Sequence, residues 1–319
     1  MTMTPLRRRG AALTAALLGS ALVLSACGSD GDADDATGET RSVEADNGTV
    51  EVPVDPQRVA VLGNAVLPYL DLGGEPIAVT DLDSSALADL PSDQRAAYDA
   101  ATNVGVNGGE ADYEKLAKLE PDLIVIAVPE SDYEKLEDKL TSIAPTVHLG
   151  FDSDWKFRAT ALAEATGETD AFDEQKASYD DVVTRIQQEH GDTLKTAKIT
   201  EAYRWESEDA GKFSINGSLC AEVVRDEGIV DFAPAEFSVS FEQIGSLAES
   251  DLILYPAAID GQPSEAIVPV LETNSWKALP AVTSGRAQGI YCPWGRSFGF
   301  AAQYLEGLER ALATLETEQ

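Results

Sequence analysis

The chain has 319 residues, with 23 Lys and Arg against 56 Asp and Glu, a formal net charge of −33. Beyond three arginines near the N terminus no basic run offsets this excess, so repulsion excludes nucleic acid and anionic lipid as partners. With only two histidines, His148 and His190, the chain lacks the ligand set that zinc or manganese capture requires. No metal site and no cofactor are expected.

Arg7, Arg8 and Arg9 precede the uncharged stretch 11–26. That is a basic region followed by an apolar one too short to span a bilayer as a helix. It closes on Leu24-Ser25-Ala26-Cys27, which resembles the bacterial lipobox. The resemblance implies a signal peptide over 1–26, cleaved so that a lipidated Cys27 becomes the first mature residue. Two acyl chains there would anchor the protein stably. Residues 27–41 carry no large apolar side chain and read as a flexible acidic tether. Removing Cys27 leaves Cys220 and Cys292 as an even pair, a candidate disulfide outside the cytoplasm.

From Arg58 onward short apolar runs alternate with helical segments. "RVAVLG" (58–63), "PIAVTD" (76–81), "DLIVIAVP" (122–129) and "TVHLG" (146–150) read as strands. "AVLPYLDLGG", "DYEKLAKLEP" and "SDYEKLEDKLTSIAP" read as helices between them. That alternation predicts a parallel sheet flanked by helices, a first lobe over 42–153. Strand signals vanish over 154–193, where Phe172, Tyr179, Val182, Val183 and Ile186 recur at helical spacing. With Gly167 as an interruption, this segment reads as two helices, the second roughly 20 residues long. Strand and helix signals resume over 194–319 with "AKITEAYRW", "SLCAEVVRDEG", "SFEQIGSLAES", "DLILYPA", "QGIYCPW" and a long last helix. The fold class is therefore α/β: two lobes with mainly parallel sheets, a helical joint, and a cleft between the lobes.

Five segments together resemble the substrate-binding lipoproteins of ABC importers for ferric siderophores, haem or cobalamin. They are "PQRVAVLG", "NVGVNGGEADYEKLAKLEPDLIVI", "IAPTVHL", "VSFEQIGSLAESDLILY" and "NSWKALPAVTSGRAQGIY". The resemblance implies two lobes joined by one long helix, and a monomer on the outer face of the cytoplasmic membrane that captures a ligand for a permease. It implies that Glu114 in "DYEKL" and Glu242 in "SFEQI" dock onto the permease; the macrodipole alone also favours an acid in a helix's first turn. The ligand it implies is an Fe(III)-siderophore complex, with haem or cobalamin as the alternative.

In open parallel sheets ligands bind beyond the carboxyl ends of the strands. That rule selects Asn64, Tyr69, Asp81, Asp83, Asn107, Pro129 and Glu130 in the first lobe. In the second it selects Tyr203, Arg204, Trp205, Phe237, Tyr255, Trp294, Arg296 and Phe298. Of these, Asn64, Tyr69, Arg204, Trp205, Tyr255, Trp294, Arg296 and Phe298 are the expected ligand contacts. Aromatic faces would pack the apolar surface of a chelate, and guanidinium forks would bond its oxygens. Arg158 is an outsider to that set, Trp276 reads as structural, and Trp155 is open to either role. A tricatecholate would want a denser basic pocket, so a hydroxamate chelate is the expected cargo. His148 reads as a packed strand residue that could serve haem only with a tyrosine such as Tyr255; His190 reads as solvated. Neither a Gly-x-Ser-x-Gly elbow nor a phosphate-binding glycine loop is present, so an enzyme is not expected.

Overall fold

The computed structural model describes residues 39–316 apart from 83, 107–110, 206 and 293–295. The leader, Cys27, Asp83, Asn107 and Trp294 lie outside the described residues. Strand β1 (Thr40–Ala45) starts inside the stretch read as tether and pairs antiparallel with β2 (Gly48–Pro53). Gly48, at φ +92°, takes the left-handed position that closes the turn. Asn47 in this turn donates to the carbonyl of Thr146 (2.9 Å) and accepts from the amide of His148 (2.9 Å). The hairpin thereby covers what would otherwise be an open sheet edge.

The first sheet is parallel throughout. It is built from β3 (Val59–Gly63), β4 (Ala78–Val79), β5 (Thr102–Asn103), β6 (Leu123–Ala127) and β7 (Thr146–His148), in the order β5-β4-β3-β6-β7. All residues of β3 and β6 are buried, which is why both read as unbroken apolar runs.

The second sheet departs from the expected parallel arrangement. It comprises β8 (Ile199–Tyr203), β9 (Lys212–Ile215), β10 (Glu236–Ser240), β11 (Leu252–Ala257) and β12 (Ala287–Tyr291), in the order β10-β9-β8-β11-β12. The pairs β8/β11 and β11/β12 are parallel, whereas β8/β9 and β9/β10 are antiparallel. The segment 204–211 contains no room for a crossover helix, so the chain can only return antiparallel.

The joint between lobes consists of the Trp155–Thr166 helix and the long Thr169–Glu189 helix, about 30 Å in length at 1.5 Å per residue. Gly167, at φ +87°, ends the first helix, where the sequence placed an interruption. The first helix buries Ala161, Leu162 and Ala165 in the core of lobe one. The second lays Tyr179, Val182, Val183 and Ile186 into the core of lobe two with the C-terminal helix, Phe298–Glu316. Phe298 sits at the centre of an aromatic cluster, its ring 5.0 Å from Trp155, 5.3 Å from Phe172 and 5.2 Å from Tyr179. It is a core residue, 3% exposed, and not the ligand contact expected of it.

Cys220 and Cys292 form a disulfide across 72 residues of sequence, tying the Leu219–Asp226 helix to the end of β12. Closing a loop of that length in the unfolded chain is worth on the order of 4 kcal/mol.

Candidate ligand groove

The carboxyl ends of both sheets border two cavities. The first, about 290 Å³, is walled by Asn64 and Ala65 after β3, by Phe151 after β7, and by Trp155 and Arg158 of the first joining helix. Arg296 reaches it from the second lobe. Asp154 also lines this cavity, and it caps the joining helix by accepting from the amides of Lys156 (2.8 Å) and Phe157 (3.3 Å). Arg158, only 8% exposed, donates to the carbonyl of Gly150 (2.7 Å) and lies 5.8 Å from the Phe151 ring centre.

The second cavity, about 350 Å³, lies between the lobes. Leu67 and Asp89 contribute from the first lobe; Tyr203, Arg204, Trp205, Glu265 and Tyr291 contribute from the second. Trp205 packs edge-on against Tyr203 at 5.3 Å. Cys292 is on the same wall, so the disulfide braces the floor of this cavity.

Of the expected contacts, Asn64 and Arg296 line the first cavity, and Arg204 and Trp205 the second. Arg204 is placed but differently employed. Its guanidinium donates to the carbonyls of Glu208 (2.8 Å), Lys212 (3.1 Å) and Ala266 (3.4 Å), so it braces the wall. Tyr69 is turned into the core of lobe one, 3% exposed, with its ring against Gly74. Burial, with Glu168 and Glu75 nearby, pushes its phenol well above the ordinary range. Tyr255 is half-buried and packs edge-on against Trp276 (6.1 Å) at the margin of the core of lobe two. Trp276 itself is buried, as expected. Arg158 and Asp89 enter from helices and Glu265 from the long loop after β11, positions the strand-end rule does not reach; Phe151 after β7 and Tyr291 at the end of β12 lie where that rule points but are not among the residues selected from the sequence.

His148 is fully buried, stacked on Tyr133 (4.0 Å), with Nε2 2.9 Å from the carbonyl of Val128 and Nδ1 3.4 Å from Glu130. Neither it nor Tyr255 is among the walls of the two cavities. His190 is not solvated: it is 6% exposed, and its Nδ1 lies 2.9 Å from Glu316 because the end of the C-terminal helix crosses it. Glu114 and Glu242 are both exposed, each in the first turn of a helix that leads into a central strand, β6 or β11. Glu242 lies within a capping box made by Ser240 and Gln243.

Where the two lobes and the joint converge, the hydroxyl of Ser297 donates to the Asp71 carboxylate. Gln175 of the long joining helix donates to the carbonyl of Asp71 (2.7 Å) and accepts from the amide of Gly299 (3.1 Å). A Cβ on Gly299 would fall 2.4 Å from that carboxylate, so only glycine fits there. Burial pushes Asp71 up to about 6, against hydrogen bonds from Ser297 and Gln175 that pull it down. Glu201, on β8 and 2% exposed, is pushed up to about 7 by burial and is held by the hydroxyl of Ser218 (2.6 Å).

The chain belongs to the periplasmic binding protein family, whose model matches residues 59–288. It is 30% identical over 299 residues to the iron(3+)-hydroxamate-binding protein FhuD of Bacillus subtilis (strain 168), covering 88% of this chain and 89% of that protein. It is 29% identical over 304 residues to the probable siderophore-binding lipoprotein YfiY of the same organism, covering 89% and 92%. Among solved structures it superimposes on the siderophore periplasmic binding protein from the fuscachelin gene cluster of Thermobifida fusca, with a TM-score of 0.71 and 22% identity over 81% of this chain and 97% of that one. It superimposes on Staphylococcus aureus SirA complexed with staphyloferrin B with a TM-score of 0.63 and 21% identity, covering 87% and 99%. These structures establish the two-lobe fold, and the family is one of binding proteins, not enzymes. Among the described residues no helix is long and apolar enough to cross a membrane.

Asp71 keeps its proton to about pH 6 when folded, against an ordinary 3.8. Between those values the folded state binds more protons than the unfolded one, so the contribution of Asp71 to stability falls as pH rises through that window. Asp71→Asn, which keeps the shape and removes the charge, is expected to raise the urea midpoint at about pH 7.5 and leave it unchanged at about pH 4. A variant less stable than wild type at the higher pH would contradict a costly buried charge.

Proposed function

We propose that this protein captures a ferric siderophore of the hydroxamate type in the groove between its lobes and hands it to the permease of an ABC importer. The observation that carries the reading is the composition of the groove walls. Phe151, Trp205 and Tyr291 bring aromatic rings to the walls, and Arg158 and Arg296 bring two guanidinium groups to one cavity. Aromatic faces pack the ligand backbone of a chelate, and guanidiniums bond hydroxamate oxygens. The relative named for iron(3+)-hydroxamate binding supports the same cargo. A haem cargo is disfavoured because His148 is enclosed by Tyr133 and the Val128 carbonyl.

Lipidated Cys27 would hold the protein at the outer face of the membrane, with the acidic segment after it as the tether. Glu114 and Glu242, one exposed acid per lobe, would pair with basic residues of the permease.

Tryptophan fluorescence quenching tests the cargo. Ferric hydroxamates are expected to quench at micromolar or lower concentration, and ferric catecholates, haem and cobalamin to quench weakly. Quenching by haem or cobalamin alone would remove the siderophore reading. Arg296→Ala is expected to weaken hydroxamate binding roughly tenfold, the loss of one charge-assisted hydrogen bond; wild-type affinity would remove Arg296 from the site. A Glu114→Ala, Glu242→Ala double variant is expected to bind with unchanged affinity while cellular uptake of iron collapses. Uptake at the wild-type rate would contradict docking through these residues.

A further inference from the structure

The segment 149–154 joins β7 to the Trp155–Thr166 helix and supplies Leu149, Phe151, Ser153 and Asp154 to the wall of the first cavity. It forms no helix or strand of its own, so its backbone groups need partners from elsewhere. Asp46, in the turn of the N-terminal hairpin, supplies one. Its Oδ2 accepts from the amide of Gly150 (2.6 Å) and from the hydroxyl of Ser153 (3.0 Å). The Asp46 amide donates to the carbonyl of His148 (3.1 Å), and Asn47 beside it is bonded to Thr146 and His148 of β7, so the hairpin turn is itself fixed. The carbonyl of Gly150 accepts from Nη1 of Arg158 (2.7 Å), whose guanidinium lies against the Phe151 ring. Gly150 is thus gripped by a carboxylate at its N–H and by a guanidinium at its C=O. A Cβ on Gly150 would stand 3.4 Å from the Asp46 carboxylate and 3.3 Å from the His148 ring, so the hairpin lies close upon the segment.

Asp46 does not line the cavity, and it lies outside residues 59–288, which the family model matches. Resting on the ferric-chelate reading above, we propose that Asp46 is a positioning residue for ligand capture. It holds the Gly150–Ser153 backbone so that Phe151 and Arg158 face the groove in one arrangement before the ligand arrives. Phe151 is exposed, so core packing does not hold its ring and the backbone that carries it sets its place. A wall that had to become ordered on binding would weaken capture, because that ordering entropy is then lost at the binding step. The role asks for an acceptor oxygen at one point, not for a negative charge. The hairpin then does more than cover a sheet edge: the first folded chain after the proposed tether braces the ligand site.

The test measures quenching of tryptophan fluorescence by a ferric trihydroxamate in the wild type and four variants, each first shown to be folded by its urea transition. Asp46→Asn keeps an acceptor oxygen in place without the charge, and is expected to bind within about threefold of wild type. Asp46→Glu keeps the charge but carries it one methylene too far, and Asp46→Ala removes the acceptor; both are expected to bind about tenfold more weakly. Glu44→Ala breaks an exposed bond from Thr49 (2.7 Å) in the same hairpin without touching the wall, and is expected to bind as wild type does. Wild-type affinity in Asp46→Ala and Asp46→Glu overturns this inference and leaves the proposed function standing. So does weak binding by Asp46→Asn beside wild-type binding by Asp46→Glu, because the charge then acts through its field. A tenfold loss in Glu44→Ala overturns it too, since hairpin stability alone would explain the effect. If Asp46→Ala does not fold, the Asn and Glu variants decide between these outcomes. A wild type that binds no ferric trihydroxamate removes the proposed function, and this inference falls with it.

Discussion

The first turn of the C-terminal helix is where the two lobes and their joint are locked together. Ser297 and Gly299 hydrogen-bond to Asp71 of the first lobe and Gln175 of the long joining helix. Immediately beside them, Phe298 fills the space between Trp155, Phe172 and Tyr179. A polar latch and an aromatic plug are therefore carried by three consecutive residues. Both cavities are bordered by chain that leads into this turn, Cys292 on one side and Arg296 on the other. The geometry of the groove thus depends on how firmly the turn is held, and burial of the Asp71 carboxylate is what that firmness costs.

This arrangement makes a stiff joint and leaves recognition to the groove walls. The long Thr169–Glu189 helix is packed along the C-terminal helix, so bending there would open the core of lobe two. The disulfide fixes the end of β12 to the Leu219–Asp226 helix, and Arg204 ties three main-chain carbonyls, one of them at the start of β9, to the end of β8. The second cavity is accordingly framed by covalent and charge-assisted bonds before any ligand arrives, a preorganisation that reduces the entropy lost on binding.

How much of this was legible in the sequence depended on the kind of residue. The central strands β3, β6 and β11 announce themselves as apolar runs, and the break at Gly167 as a glycine between two helical patterns. The hairpin β1/β2 was missed because only Val43, Ala45 and Val52 of it are buried, too sparse a signal beside an acidic tether. Strands β9 and β10 are short and half polar, which hid the antiparallel half of the second sheet. The strand-end rule found Asn64, Arg204, Trp205 and Arg296, because backbone position alone decides where they lie. It failed for Tyr69 and Phe298, which sit in the helices that follow their strands and turn their aromatic rings into the core. It could not find Asp89, Glu265 or Arg158, which helices and long loops bring in from outside the sheets. Side-chain direction, and not position along the chain, separates the two groups.

The central claim is that iron bound by a chelate sits between the lobes at the carboxyl ends of the two sheets. Diffraction at the iron absorption edge, from crystals grown with a ferric trihydroxamate, measures that position directly. One anomalous peak is expected, with the chelate in contact with Arg296 on one side and Trp205 on the other. A peak outside this groove, or a chelate that touches neither residue, would contradict the account.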